Sequence, residues 1–389
     1  MANMMDYLNW RGDLSFRVSG FNEVDNLILA QLAYVDFAGI VPEPGRGEQI
    51  TLREASKLFW KIHSKEEILS HVPMMRSAPF VLKKMAETKR FRNILLSDYI
   101  DDISDEEQSQ FSVLCAELTD GSMYVAFSGT DNTIVGWREN FNMGYLDTTP
   151  GQLKAVEYLN GVARPEMKKI RVGGHSKGGN LSVYAAVKCE PWIQNKITCV
   201  YSNDGPGFDH TMVESRAYQS MLPRIKTILP ESSIVGMLLE HEESYEVVKS
   251  SQSGIQQHDA MSWEVLGTTF VYVSEVAQQS ILLDEAMKTW LRQLSREERE
   301  QIVETIFLML EEAQIKTVDD FYNSKWKKVQ ELLKAKSKLS EESQKLFGKA
   351  LKLLWSTGNK TVQRSVKKAV QERLEDRSKN NSPDFLKKV

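Results

Sequence analysis

The chain has 389 residues, 41% hydrophobic and 26% charged, with a formal net charge of −4: enough apolar material to close a core without disulfide or metal staples. Cys115, Cys189 and Cys199 form an odd, widely spaced set with no CxxC pair, which argues against a disulfide framework or zinc ribbon and fits a reducing compartment. Residues 1–12 carry no apolar leader, and apolar runs such as 306–310 fall far short of the ~20 residues of a membrane helix, so a cytoplasmic protein is expected.

Residues 1–110 read as a mainly helical N-terminal region. An apolar helical run covers 26–34 and Pro42-Glu-Pro-Gly45 forms a loop. Thr51 with Glu54, Ser64 with Glu67, and Ser104 with Glu107 match the S/T-x-x-E box that marks helix starts. Residues 111–275 change character. Short β-prone runs at 111–118 and 123–127 flank the turn signal Asp120-Gly121, and a helical pattern covers 152–159. A strand at 169–172 then runs straight into Gly173-Gly-His-Ser-Lys-Gly-Gly179, followed by an Ala-rich helix at 181–188 and strands at 197–201, 224–229 and 245–249. Strands alternating with helices predict an α/β fold with a mostly parallel sheet covered on both faces.

From 276 to 389 strand signals stop, and the pattern predicts a helical, basic C-terminal appendage. Ser295 and Glu298 cap a helix carrying Ile302, Ile306 and Met309; further helical spacing covers 321–333 and 343–354, Thr357-Gly-Asn359 ends a helix, and 379–383 reads as frayed. Residues 316–389 hold 19 Lys and Arg against nine Asp and Glu, so this tail carries +10 and the preceding residues −14. Such a tail is either a solvated face packed on the acidic body or a site for an anionic partner such as a membrane surface. No recognition motif accompanies it, so nucleic acid is not an expected partner.

The chemistry concentrates at Gly174-His175-Ser176-Lys177-Gly178. In a G-x-S-x-G nucleophile elbow, a strand enters and a helix leaves, and small residues let the two backbones approach. Both conditions hold here. A serine needs a base. Of His63, His71, His175, His210, His241 and His258, only His258 follows the last core strand. His241 precedes that strand, His175 lies inside the elbow, and His63 and His71 fall in the helical N-terminal region. The acid is expected to be Asp204, at the tip of the 197–201 strand before Gly205-Pro-Gly207, with Glu231, after the next strand, as the alternative. For the oxyanion, the amide of Lys177 supplies one donor and the Phe127-Ser-Gly-Thr130 turn, through Thr130, the other. The apolar segment 234–239 reads either as lining for an acyl site or as core.

Phe127-Ser-Gly-Thr, Gly136-Trp137 and Gly174-His-Ser-Lys-Gly-Gly179 together resemble the class 3 (fungal-type) lipase family of α/β hydrolases over residues 111–265. Residues 7–13, 24–27, 203–208 and 233–236 are similar to the bacterial lipase-like DUF2974 family. The resemblance implies a serine esterase with Ser176 as nucleophile, His258 as base and the Thr130 and Lys177 amides as oxyanion hole, acting on a small-molecule or lipid ester with no metal or organic cofactor. Ser128 departs from the Arg common in those lipases, and Glu231 stands where they carry Asp. A hydrolase-fold scaffold docking an anionic partner through its tail, and an acyltransferase or thioesterase with the same triad, remain alternatives.

Overall fold

β-branched and aromatic runs alternating with helices build one nine-stranded sheet. The computed structural model describes residues 1–70, 73–131, 133–317 and, discontinuously, 328–357. Its strands are β1 (Ile50–Thr51), β2 (Leu95–Ser104), β3 (Ser109–Glu117), β4 (Met123–Phe127), β5 (Ile170–His175), β6 (Ile197–Asn203), β7 (Ile225–Pro230) and β8 (Tyr245–Val248). β9 (Val265–Leu266) and β10 (Thr269–Phe270) form a separate ribbon, and β11 (Tyr272–Val273) closes the large sheet, whose order is β1-β2-β3-β4-β5-β6-β7-β8-β11. β4 to β8 are parallel and β2 points the same way, against β1, β3 and β11. This is the mostly parallel α/β-hydrolase sheet expected from the sequence. β4 is buried along its whole length, as an unbroken apolar strand must be when helices cover both faces.

One face carries helices Met4–Arg11, Glu23–Leu32, Leu52–Ile62 and Pro73–Glu87, whose Leu27, Ile28 and Leu82 share a core with Leu114, Tyr124 and Ile228 of the sheet. The other face carries Pro150–Val162, Lys177–Lys188 and Arg216–Met221, packed on Val113, Val125 and Val172. The first face holds a buried ion pair of its own and a polar link to the centre of the sheet. Arg90 and Asp25, both fully buried, meet at 2.5 Å, with the Tyr7 hydroxyl donating to Asp25 at 2.8 Å. Asn26 donates to Asn203 Oδ1 at 2.9 Å, and Asn203 donates to the Gly174 carbonyl at 2.9 Å, beside the elbow.

The N-terminal stretch also supplies β1 and β2, which its helical signals concealed. Ser104 with Glu107 does not start a helix. The Glu107 amide donates to Ser104 Oγ at 3.1 Å in the turn between β2 and β3, because the same local hydrogen bond serves a tight turn as well as a helix cap. Beyond β11, helix Gln278–Arg292 leads to Arg296–Glu312, which Ser295 and Glu298 begin with a reciprocal capping box. Residues 343–350 are helical; 321–327, 358–389 and His71 lie outside the described residues, so most of the basic tail does too. Among the described residues no helix is long and apolar enough to cross a membrane.

Candidate active site

Strand β5 delivers Ser176 to the start of helix Lys177–Lys188 with φ +58° and ψ −130°. Such a backbone is costly for a residue with a side chain and persists only where its surroundings impose it. Here the imposition is steric and polar. A Cβ on Gly174 would collide with the Gly178 backbone and the Phe127 carbonyl, and one on Gly178 would strike the same carbonyl. The Ser176 amide is meanwhile held by the Asn203 carbonyl at 2.9 Å. Ser176 occupies the N-cap position without capping the helix through its side chain.

Asp204 directly follows β6, also in the left-handed region at φ +49°. His258, at the end of the 3-10 turn Gly254–His258, donates through Nδ1 to Asp204 Oδ2 at 2.6 Å. The other oxygen, Oδ1, accepts from Ser233 Oγ at 2.5 Å and the Gly236 amide at 3.0 Å. Burial pushes the Asp204 carboxyl up, but the hydrogen bond and charge of His258, helped by Ser233, carry it below its ordinary value. Glu231 is elsewhere: its carboxylate accepts from Gln257 at 3.4 Å. Of the two acids left open by the sequence, Asp204 is the one bonded to His258.

His175 braces this pair. Its Nε2 donates to the His258 carbonyl at 2.8 Å, its ring lies 4.7 Å from that of His258, and its Nδ1 accepts from the Tyr34 hydroxyl at 3.0 Å. Burial, then the nearby charge of His258, lowers its pKa to about 3, so the imidazole is neutral and its tautomer is set by its two partners. The Tyr34 hydroxyl also bonds the Gly129 backbone, which joins the Phe127–Thr130 turn to the same unit.

Thr130 is buried, and its Oγ1 accepts from Asn140 at 2.6 Å. The Lys177 side chain turns away from the serine into the protein, where its ammonium meets Glu139 at 2.8 Å and Gln110 Oε1 at 2.7 Å, all out of water. Glu139 also accepts from the Gly151 amide at 2.7 Å. Such a paired and hydrogen-bonded buried charge fixes the first residue of the helix, and with it the amide beside Ser176.

Ser176 and Lys177 open into a cavity of about 240 Å³. Trp137 and Phe141 form one wall, Val235 and Leu238 another, and Trp290 and Ile302 from the two helices after β11 close it. Of the segment 234–239, Val235, Leu238 and Leu239 line the cavity, while Met237 packs with Leu229 and Val247.

A strand-to-helix serine, a carboxylate-bound histidine and an apolar cavity thus meet on one sheet edge. Residues 85–308, more than half of the chain, match the Mbeg1-like family. The chain belongs to the Mbeg1-like family. This is the lipase-like DUF2974 group that its sequence motifs resemble. Among solved structures, M37 lipase is 16% identical with a TM-score of 0.35, aligned over 54% of this chain and 68% of that one. A fungal lipase–inhibitor complex is 12% identical with a TM-score of 0.33, over 53% and 83% respectively. No curated protein matches the chain.

In this Mbeg1-like chain the sequence singled out Ser176, His258, Asp204, Thr130 and Lys177, and the fold gathers them at one edge. It passed over Glu139, Asn140, His175 and Tyr34. The adjacency of His175 to Ser176 was the available signal; the others contact the site only through tertiary packing.

Proposed function

We propose that the chain is a serine hydrolase cleaving a carboxylic ester through an acyl-enzyme on Ser176. The observation that carries this reading is the 2.6 Å Asp204–His258 bond beside a serine held on an elbow at the floor of an apolar cavity. Ser176 Oγ attacks the ester carbonyl while His258 Nε2 takes its proton; Asp204 keeps Nδ1–H pointed at itself and stabilises the imidazolium. The Thr130 and Lys177 amides receive the oxyanion. Collapse breaks the ester C–O bond, with His258 returning the proton to the departing alcohol. Water, deprotonated by the same histidine, then frees the acid and restores Ser176. The cavity walls suit the acyl chain of a lipid or small-molecule ester.

The test is fluorophosphonate labelling read by intact mass. Wild type gains one adduct at Ser176, Ser176→Ala gains none, and His258→Ala labels at least ~10³-fold more slowly. Folded wild-type protein that takes no label overturns the reading and leaves the fold as a binding scaffold.

A further inference from the structure

A second cavity, of about 300 Å³, adjoins the one over Ser176, and Gly144, Tyr145, Leu239, Leu291 and Arg299 line both. Their characters differ. The cavity over Ser176 is walled by aromatic and aliphatic side chains, whereas its neighbour gathers Lys288, Arg292, Arg296 and His210 around Arg299. Of the three acids lining it, Asp147 and Glu240 meet basic side chains, whereas Asp209 bonds to amides and keeps its charge. Asp147 pairs with Arg296 at 3.2 Å, and Glu240 with His210 at 3.1 Å and Arg292 at 3.4 Å. Asp209 accepts from the amides of Thr211 and Met212, and Lys288 pairs with Asp284 at 2.9 Å.

Arg299 stands apart. Its Nε and Nη2 donate to the Leu291 carbonyl at 3.0 and 2.6 Å and its Nη1 to the Gly144 carbonyl at 3.1 Å. Among the described residues no carboxylate pairs with it. Those bonds use three of a guanidinium's five N–H groups and leave two. The carbonyl of Leu291 gives Arg299 a structural duty at the end of helix Gln278–Arg292, but a carbonyl does not cancel a full charge. Burial without a counter-charge pulls the Arg299 pKa below its ordinary value, the cost that a bound anion would offset. A rigid fork with two open donors, at the seam between an apolar cavity and a charged one in which Lys and Arg outnumber the acids by one, suits a tetrahedral oxyanion carried on an otherwise apolar ester.

We propose that the substrate is a carboxylic ester whose alcohol portion bears a phosphate, the acyl chain lying over Ser176 and the phosphate on Arg299 in the adjoining cavity. The assignment rests on the serine-hydrolase reading and adds the leaving group to it. Ser176 Oγ bonds to the acyl carbon, the ester C–O bond breaks, and the phosphorylated alcohol departs with the proton from His258. The phosphate ester itself is untouched.

The experiment compares 1-octanoylglycerol 3-phosphate with 1-octanoylglycerol, two compounds differing in the phosphate alone, binding to the full-length Ser176→Ala protein by calorimetry. The phosphorylated compound is expected to bind roughly tenfold tighter, the worth of one charge-assisted hydrogen bond. The ratio should fall toward one in Ser176→Ala with Arg299→Gln, and by about half on raising the salt to 0.5 M. Because Arg299 also holds two carbonyls, Arg292→Gln on the exposed rim gives a second reading, with the ratio reduced roughly twofold. Equal binding of the two compounds, or a preference that survives Arg299→Gln in folded protein, overturns the proposal. Fluorophosphonate labelling of wild type separates the two readings. Label at Ser176 with equal binding sinks the phosphate assignment alone; a phosphate preference without label supports the anion site and sinks the ester chemistry.

Discussion

The helices before β2 and those after β11 both flank the sheet, yet they meet the rest of the molecule through different physics. The helices before β2 share one continuous core with the strands and, with Arg90 just after the last of them, bury a charged network, Asp25–Arg90–Tyr7. Helices Gln278–Arg292 and Arg296–Glu312 touch the body through small clusters, Tyr145 with Val303 and Phe307, and Ile281 with Leu229 and Val247. Between those clusters lies the cavity over Ser176 rather than packed side chains. A region with an unbroken core sets global stability, while one that roofs a cavity is free to set access and affinity at little cost to the fold.

The strongest way to break this contrast is at Asp25. Asp25→Ala leaves the Arg90 guanidinium buried and unpaired, and is expected to remove about 3–5 kcal/mol from unfolding by urea. Fluorophosphonate labelling per folded molecule should stay at the wild-type level. A loss below about 1 kcal/mol would mean that the N-terminal helices are no more integral than the C-terminal pair.

The N-terminal region also reaches the site, through Tyr34 and His175, and pH sharpens that link. Below about pH 6.5 an unfolded His175 takes up a proton that the folded imidazole, with a pKa of about 3, refuses. The unfolded state then binds more protons, so stability falls with acid, by up to about 1.4 kcal/mol per pH unit from this one group. Asp204, whose carboxyl is depressed in the fold, adds to the loss only below its ordinary value of 3.8. Between pH 4 and 6.5, His175→Gln should therefore have a shallower dependence of unfolding free energy on pH than wild type. Parallel curves would show that the brace carries no protonation penalty.

What the sequence disclosed follows the same divide. The elbow and the position of His258 were legible because their constraints are local: a glycine pair either side of the serine, a strand before it, a histidine after the last core strand. The sequence favoured Asp204 over Glu231 without separating them fully, since both directly follow neighbouring parallel strands and it is Asp204, on its left-handed turn, whose carboxylate meets His258. The Lys177–Glu139 pair joins residues 38 apart with no periodic pattern between them, and Arg299 sits among the charged residues 296–300 of an amphipathic helix, where nothing in the sequence sets it apart. β2 escaped notice because Ser104 and Glu107 make the same local bond in a turn that they would make at a helix start.

On the other side of the contrast, Trp290 forms part of the cavity wall and donates through Nε1 to the Ala350 carbonyl at 2.9 Å. Trp290→Ala widens the cavity without opening the main core. KM for an octanoyl ester should rise roughly tenfold, equivalent to about 1.4 kcal/mol, with kcat within about twofold. A fall in kcat at unchanged KM would place this helix in the chemistry rather than in substrate binding.

The smallest effect separates a roof that is held from one that breathes. Ser295 accepts from the Glu298 amide at 3.2 Å while the Ser295 amide donates to Glu298 at 3.0 Å, and Lys349 pairs with Glu298 as well. Ser295→Ala removes half of that box and is expected to cost helix Arg296–Glu312 about 1 kcal/mol. In a continuous core that loss would appear in the global unfolding free energy. In a roof joined by small clusters it should appear first as faster amide exchange across 296–312, about fivefold, with the exchange of β5 and β6 unchanged. Equal acceleration in both places would mean that the roof and the sheet unfold as one unit, and that Ser176 is uncovered only when the whole molecule opens.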